Sequence, residues 1–184
     1  MESAAFIDPL DGKALGYDGT AGDDNVVVPD YSDVIGHWSE SIVMRLLDNG
    51  VYLWGGSFEP DKVMTELEFA RYLMLIEQYY GYLEPREFFI QQGIDIEADP
   101  DKALTRQEAA RIVVEYLGFG KLAVQSEWFV YPFSDNVSSQ YKGYVTICYM
   151  LGIIDGSDGV FNATGNITRA HAAAILANLI EYKS

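Results

Sequence analysis

Few residues in this chain of 184 are suited to a catalytic or metal centre, since it has one cysteine and two histidines. A lone cysteine excludes a disulfide within the chain and a cysteine-based zinc site. Cys148 lies in the apolar stretch 145–151, which predicts a small buried residue. His37 and His171 lack metal-ligand spacing, and no Gly-rich phosphate loop or Gly-x-Ser-x-Gly motif occurs. We therefore expect no enzyme activity, no cofactor and no metal.

Basic residues are also scarce: 12 Lys and Arg stand against 28 Asp and Glu, which gives a formal net charge of −16. Such a charge repels nucleic acid and anionic membranes, and it is typical of a well-hydrated surface. No apolar run approaches the roughly 20 residues that span a bilayer. Residues 1–5 hold no basic stretch followed by an apolar core, so no signal peptide is visible. We expect neither a nucleic-acid partner nor membrane insertion.

What the chain does contain is an internal repeat. The segment Tyr31-Ser32-Asp33-Val34 returns as Phe133-Ser134-Asp135-Asn136, and each opening aromatic stands 19 residues before a glycine, Gly50 or Gly152. Apolar residues precede both glycines at the same offsets and trace one face of a helix. The two glycines are therefore predicted to be C-terminal helix caps.

A second predicted helix follows each of three threonines, Thr65, Thr105 and Thr168. Counted from its threonine, every copy is apolar at +4, +7, +8 and +11. These residues are Phe69, Tyr72, Leu73 and Ile76; Ala109, Ile112, Val113 and Tyr116; and Ala172, Ile175, Leu176 and Leu179. The middle copy, around Gly93, lacks the aromatic-Ser-Asp opening, whose positions fall inside the preceding helix. One helix-loop-helix unit cannot bury its apolar face alone, so we predict a mainly α fold with a shared core.

These spacings also predict the organisation of the chain. Residues 1–30 lie outside the repeats and are rich in Gly and Asp, which is typical of a linker or N-terminal extension. Residues 31–184 form the repeat region, with short irregular or β segments between helices. Its aromatic-rich connection, 118–132, is expected to cover the core. The repeats span about 31–80, 81–118 and 131–184.

Three short motifs, taken in order, resemble the S-layer homology family. Residues 31–38, Tyr-Ser-Asp-Val-Ile-Gly-His-Trp, are similar to the family's opening of aromatic, Ser, Asp, Val, two variable residues, His and Trp. Gly56-Ser57-Phe58-Glu59-Pro60 is similar to its Asp-Gly-Thr-Phe-x-Pro loop. Residues 105–108 and 167–170 resemble its Ile-Thr-Arg-Ala-Glu signature. Together the motifs cover residues 31–183, with a degenerate middle repeat.

The resemblance implies a fold, a function and a location. The family's three repeats form a pseudo-threefold helical bundle with grooves between neighbouring repeats. Such regions bind a secondary cell-wall polysaccharide, often one that carries a pyruvate ketal, and so hold a surface protein on the bacterial cell wall without covalent attachment. The resemblance implies no reaction, and it places the chain outside the cell, in the cell wall or S-layer.

The arginines of the signature are the first candidate glycan-binding residues. Arg106 and Arg169 are predicted to lie in the first turn of a helix, where the helix dipole disfavours a cation by roughly 0.3–1 kcal/mol. An arginine beside free helix N–H groups would bind a carboxylate, such as that of a pyruvylated sugar. The alternative is an internal salt bridge. Helix capping alone explains the Thr and Glu of the signature, because they predict a capping box at the start of the helix. Thr168 and His171 fit this box only in part.

Four further residues are candidates. Trp38 and His37 would lie against a sugar, or else pack and hydrogen-bond locally. Asp33 and Asp135 are either glycan ligands or turn and N-cap residues. With the two arginines, they complete the predicted site.

Departures from the family pattern leave a second function open. Glu66 stands at the arginine position of the first repeat, Ser139-Gln140 replace the His-Trp pair in the third, and Gly81 and His171 break the signatures elsewhere. We therefore expect unequal grooves, with those built on Arg106 and Arg169 active and that of Glu66 repelling an anionic glycan. The alternative is an assembly module that has kept the fold and lost glycan binding. Self-association stays open.

Overall fold

The structure, a computed structural model, is mainly helical, as predicted. It describes the strands Phe6–Ile7 and Ala14–Leu15 and residues 31–49, 51, 57–76 and 83–184. The α-helices are α1 (Glu40–Asp48), α2 (Glu66–Ile76), α3 (Pro85–Gln91), α4 (Arg106–Tyr116), α5 (Gly120–Ala123), α6 (Lys142–Met150) and α7 (Arg169–Lys183). Short 3-10 helices lie at Ser32–Val34, Ser126–Trp128 and Ser139–Tyr141. The strands, β1 and β2, pair antiparallel.

Local signals fix where the helices begin and end. The Thr105 and Thr168 side chains each accept a hydrogen bond from the backbone N–H three residues on. The side chain of that third residue accepts one from the backbone N–H of the threonine, so both helix starts carry full capping boxes. Gly93 and Gly152 follow α3 and α6 with φ of +79° and +70°, a conformation that favours glycine at a helix end. The capping box at Thr105 and the glycine cap at Gly152 are confirmed, whereas the box at Thr168 is full where only a partial one was predicted. Gly50 lies outside the described residues.

The helices pair across repeats in a cyclic order. α3 packs on α2, α6 packs on α4, and α1 packs on α7. The first helix of each predicted repeat thus lies against the second helix of the repeat before it, and the first repeat closes on the third. Each of these pairings joins two predicted repeats, as expected if one helix-loop-helix unit cannot bury its apolar face alone.

A ring of backbone hydrogen bonds joins the three segments that precede the second helices. Met64 N donates to Ile167 O, Ile167 N donates to Leu104 O, and Leu104 N donates to Met64 O, each at 2.9 Å. All three residues are fully buried. A pseudo-threefold bundle stays a prediction, which this closed ring supports.

Most of the predicted core residues are buried. All four register positions are buried or packed on the core in α2, α4 and α7, and Cys148 is fully buried in α6. Tyr149, which belongs to the predicted apolar face before Gly152, differs: it is 40% exposed and lies edge-on to Phe133, with ring centroids 5.0 Å apart.

The prediction for the connection 118–132 is partly wrong. Phe129 and Tyr131 pack on the core, but Trp128 is 69% exposed, because the short 3-10 helix turns its side chain to solvent. In the middle copy, the position 19 residues before Gly93 is Met74, where an aromatic-Ser-Asp opening would begin. Met74 lies in α2, as predicted. Within the described residues no helix has both the length and the apolar character needed to cross a membrane.

The ring makes Leu104 a sensitive position. Leu104→Ala should lower the free energy of unfolding by about 2–5 kcal/mol, because it leaves a cavity where three segments meet. Val130→Ala, at a side chain 86% exposed, is the control and should change it by less than about 0.5 kcal/mol. Urea unfolding followed by circular dichroism measures both. Equal losses in the two variants would contradict close packing of the Leu104 side chain where the three segments meet.

Candidate functional site

Asp33 and Asp135 hold equivalent loops. Asp33 Oδ1 accepts a hydrogen bond from Phe58 N at 3.0 Å, and its Oδ2 accepts one from Glu59 N. Asp135 accepts from the backbone N–H groups of Phe161 at 3.0 Å and Asn162 at 2.8 Å. Each carboxylate thus joins the opening of a repeat to the loop before its second helix. This structural role explains why the aromatic-Ser-Asp motif recurs.

The Asp135 carboxylate is well satisfied. Desolvation raises its pKa, but hydrogen bonds from the Phe161, Ala163 and Asn162 amides and from the Tyr131 hydroxyl outweigh it, so the pKa lies below its usual range. The Tyr131 hydroxyl donates to Asp135 Oδ1 at 3.2 Å, and burial with this neighbouring charge raises the pKa of Tyr131. At neutral pH, Asp135 is therefore ionised and its oxygens are engaged with the protein.

Arg169 lies where α7 meets the loop that Asp33 holds, and we call this contact the Arg169 interface. Its Nη1 donates to Phe58 O at 3.1 Å and to Glu59 Oε2 at 2.7 Å, and its Nη2 lies 3.7 Å from Glu68 Oε1. The residue is 3% exposed. Its charge is therefore neutralised by carboxylates of the first repeat.

Arg106 occupies the equivalent place where α4 meets the loop that Asp135 holds, the Arg106 interface. Its Nε donates to Phe161 O at 2.7 Å and its Nη2 donates to Asp155 O at 2.6 Å. Its guanidinium carbon lies 4.9 Å from the centre of the Phe161 ring. Burial lowers the pKa of Arg106, against the charges of Asp135 and Asp155, but an arginine stays protonated. Within the described residues no carboxylate oxygen lies in ion-pair range of this guanidinium.

Glu66 marks the remaining interface, where α2 meets the loop before α4. Its carboxylate is buried and lies 2.9 Å from Arg111 Nη2 and 3.7 Å from Lys102 Nζ. Glu97 N donates to the same carboxylate at 3.3 Å. The chain thus supplies its own cations here, and the Glu66 interface is occupied by internal ion pairs. Sequence reasoning missed Arg111, because its partner Glu66 lies 45 residues away and only the fold brings the two together.

The amide groups at the helix starts are not free, which corrects one expectation. Arg106 N donates to Gly165 O and Gln107 N donates to Ala163 O, while Arg169 N donates to Lys62 O and Ala170 N donates to Pro60 O. Neighbouring repeats therefore satisfy the donors that were predicted to bind a carboxylate. Only the guanidinium groups and the helix dipole are left for an anion.

Trp38 is 54% exposed and stands between two imidazole rings. Ring centroids lie 5.4 Å apart both for His37 with Trp38 and for Trp38 with His171. His37 Nε2 lies 3.5 Å from Asp61 Oδ1, and its Nδ1 is within 2.8 Å of Ser39 Oγ. The opening of the first repeat thus lies against the start of α7.

The predicted site residues therefore fall into two groups. Asp33, His37, Trp38 and Arg169 gather where the first and third repeats meet, and Arg106 and Asp135 gather where the second and third meet. His171 was missed as a neighbour of Trp38, because only the fold brings α7 beside residue 38. The described residues hold no group of three or more His, Cys, Asp or Glu side chains suited to bind a metal.

Asp135 gives a test of the loop contacts. Asp135→Asn should lower the free energy of unfolding by about 1–3 kcal/mol, because an amide nitrogen would face backbone N–H donors. Asp158→Asn makes the same change at an exposed residue of the same loop and should be within about 0.5 kcal/mol of the parent. Urea unfolding compares them, and a silent Asp135→Asn would contradict the structural role.

Comparison with known proteins bears on function. The family model described as the S-layer homology domain matches residues 132–173. The chain is 26% identical to an amylopullulanase of Thermoanaerobacterium thermosulfurigenes and to the exoglucanase XynX of Acetivibrio thermocellus, each over 176 aligned residues and 82% of this chain. It spans 9% and 16% of the lengths of these relatives.

The matched segment begins one residue before Phe133 and includes Asp135, α6, Thr168, Arg169 and His171, the elements of the third repeat. A domain of this kind anchors surface proteins to polymers of the cell wall and is not catalytic. The first and second repeats stay predictions. Residues 132–173 are thus similar to the S-layer homology domain, and proteins with this domain are attached at the cell surface.

Proposed function

We propose that this chain holds a surface protein on the cell wall by binding a secondary cell-wall polysaccharide through acidic groups of the glycan, such as a pyruvate ketal. The observation that carries the proposal is the Arg106 guanidinium. It is bound to two neutral carbonyl oxygens, of Phe161 and Asp155, and is paired with no carboxylate in the described residues. In a chain of net charge −16, a cation that has no ion-pair partner among the described residues is a place where an anion would be bound.

The donors of Arg106 suit a carboxylate. Its Nε and Nη2 are engaged with carbonyl oxygens, and Nη1 has no acceptor among the described residues. A carboxylate would accept from Nη1 while the carbonyl contacts hold the guanidinium plane in place. Because the group is partly desolvated, such a charge-assisted bond is stronger than one in open water.

Arg169 is the weaker candidate of the two. Glu59 and Glu68 already face its guanidinium, and a glycan carboxylate would have to displace one of them. The exposed Trp38 beside this interface instead offers an aromatic face to a sugar ring. We infer that the Arg106 interface recognises the acidic group and that the Arg169 interface supports a sugar.

An assembly module without glycan binding is the second candidate. The Glu66 interface favours it, because its ion pairs leave no cation for an anionic polymer. If the other two interfaces also fail to bind, the fold would serve contact with another protein of the surface layer.

Arg106→Ala should weaken binding to purified sacculi about tenfold or more, since a hydrogen bond to a charged group contributes about 1.5–3 kcal/mol. Arg106→Lys should recover part of the loss, because it keeps the charge without the planar fork. Arg45→Ala removes an equal charge from an exposed pair with Glu181 and should bind as the parent does. Co-sedimentation measures all three variants.

The same assay includes sacculi from which the secondary polymer has been extracted with acid. Binding should disappear with the polymer. Equal sedimentation of all variants, or sedimentation that survives extraction, would contradict glycan recognition by Arg106. An absence of binding to sacculi of its own organism would favour the assembly module.

Trp38→Ala should weaken binding about fivefold, which corresponds to ~1 kcal/mol for roughly 40 Å² of ring surface covered by a sugar. Trp128→Ala is the matched control, because Trp128 is 69% exposed and lies far along the chain in the connection before the third repeat. Isothermal titration with solubilised polymer compares the two. Equal losses of affinity in the two variants would show that Trp38 makes no specific contact with the glycan.

A further inference from the structure

The capping boxes of the second helices differ in one residue. In α2 and α4 the returning acceptor is a carboxylate, since Thr65 N donates to Glu68 at 3.1 Å and Thr105 N donates to Glu108 at 2.9 Å. In α7 the acceptor is an imidazole, and Thr168 N donates to His171 Nδ1 at 3.2 Å. A carboxylate remains an acceptor at mildly acid pH, whereas an imidazole nitrogen does so only while it is unprotonated.

The hydrogen bonds fix the tautomer of both histidines beside Trp38. A backbone N–H can only donate, so the proton of neutral His171 is on Nε2. Ser39 N likewise donates to His37 Nδ1 at 3.2 Å, which puts the His37 proton on Nε2, toward Asp61. Protonation of His171 would place an N–H against the Thr168 N–H, and its new proton could reach only Thr168 Oγ1, 3.0 Å away.

We propose that the first turn of α7, residues 168–171, is an acid-sensitive joint between the first and third repeats. Protonation of His171 removes the acceptor that caps the helix, and this loosens the turn that carries Arg169. The joint acts on the contact between the first and third repeats, because His171 also lies against Trp38. The inference also extends to wall attachment, and there it rests on the proposed function. A chain whose joint is loosened would dissociate from the cell-wall polymer more readily at acid pH.

The surroundings of His171 oppose its protonation. Arg106 of α4 and His37 of the first repeat face it, Arg169 lies two residues before it, and Asp61 is the acidic neighbour. Burial first, and then the Arg106 charge, lower the pKa of His171 below its ordinary value of about 6.5. The unfolded chain therefore binds a proton more tightly than the native chain. Neutral His171 therefore contributes to the free energy of unfolding above about pH 6.5, and this contribution is lost as the pH falls below that value.

The first experiment measures proton uptake on unfolding, as the slope of unfolding free energy against pH between pH 7 and 5. On unfolding, the parent should take up a fraction of a proton more than His171→Gln does, and the difference should shrink at the pH where native His171 itself becomes protonated. Glutamine accepts in a capping box and does not titrate. His171→Glu is a second variant, should Gln fail to fold. His37→Asn removes the other ring and leaves the His171 cap in place, so its slope should stay steeper than that of His171→Gln.

A second readout is the emission of Trp38 in a chain carrying Trp54→Phe and Trp128→Phe, which leaves it as the only tryptophan. Emission should change over the same pH range as the stability, and His171→Gln should abolish the change. Equal pH dependence in parent and His171→Gln, or its loss in His37→Asn instead, would overturn the joint.

Sedimentation with sacculi at pH 7 and pH 5 tests the extension to wall attachment. The parent should lose binding at pH 5 and His171→Gln should retain it. If the parent binds no sacculi at either pH, the proposed function fails, while unfolding and emission still decide the joint. If the parent binds equally at both, the joint does not control attachment and the extension is overturned.

Discussion

The closed ring of backbone hydrogen bonds among Met64, Leu104 and Ile167 is the constraint on which the rest of the structure depends. Each of these residues donates to one neighbouring segment and accepts from the other, so no pair forms the ring without the third. Because all three are fully buried, an unpaired amide here would be left without water. Helices α2, α4 and α7 begin two residues further on, and the ring therefore sets their relative positions.

The position immediately after each capping threonine shows how one location in the fold can have different chemistry. There the ring places Glu66, Arg106 and Arg169 against the loop of a neighbouring repeat. Glu66 meets Arg111 and Lys102, and Arg169 meets two glutamates. Arg106 meets two carbonyl oxygens and the face of the Phe161 ring. Burial requires each charge to find partners, and the partners differ from loop to loop. The three interfaces therefore differ because their partner residues differ, as well as because the residue after the threonine differs.

Features that depend on residues near in sequence could be predicted, and features that join repeats could not. The apolar register after Thr65, Thr105 and Thr168, the caps, and the glycine at residue 152 are properties of a single turn of helix. The partners of Glu66 and the occupied amides at Arg106 and Arg169 come from other repeats, so no local pattern indicated them. The full cap at His171 was underestimated because the capping signature names Glu or Gln, although imidazole Nδ1 accepts equally well while neutral.

An anionic polymer and a chain of charge −16 repel each other at long range, which limits how recognition can work. At physiological ionic strength the repulsion is screened beyond about 8 Å, so contacts made within that distance decide the outcome. A guanidinium held by two carbonyl oxygens in a partly desolvated interface acts at that range. Recognition through Arg106 would therefore be selective for a well-positioned acidic group, because the surrounding carboxylates oppose every anion that does not reach it.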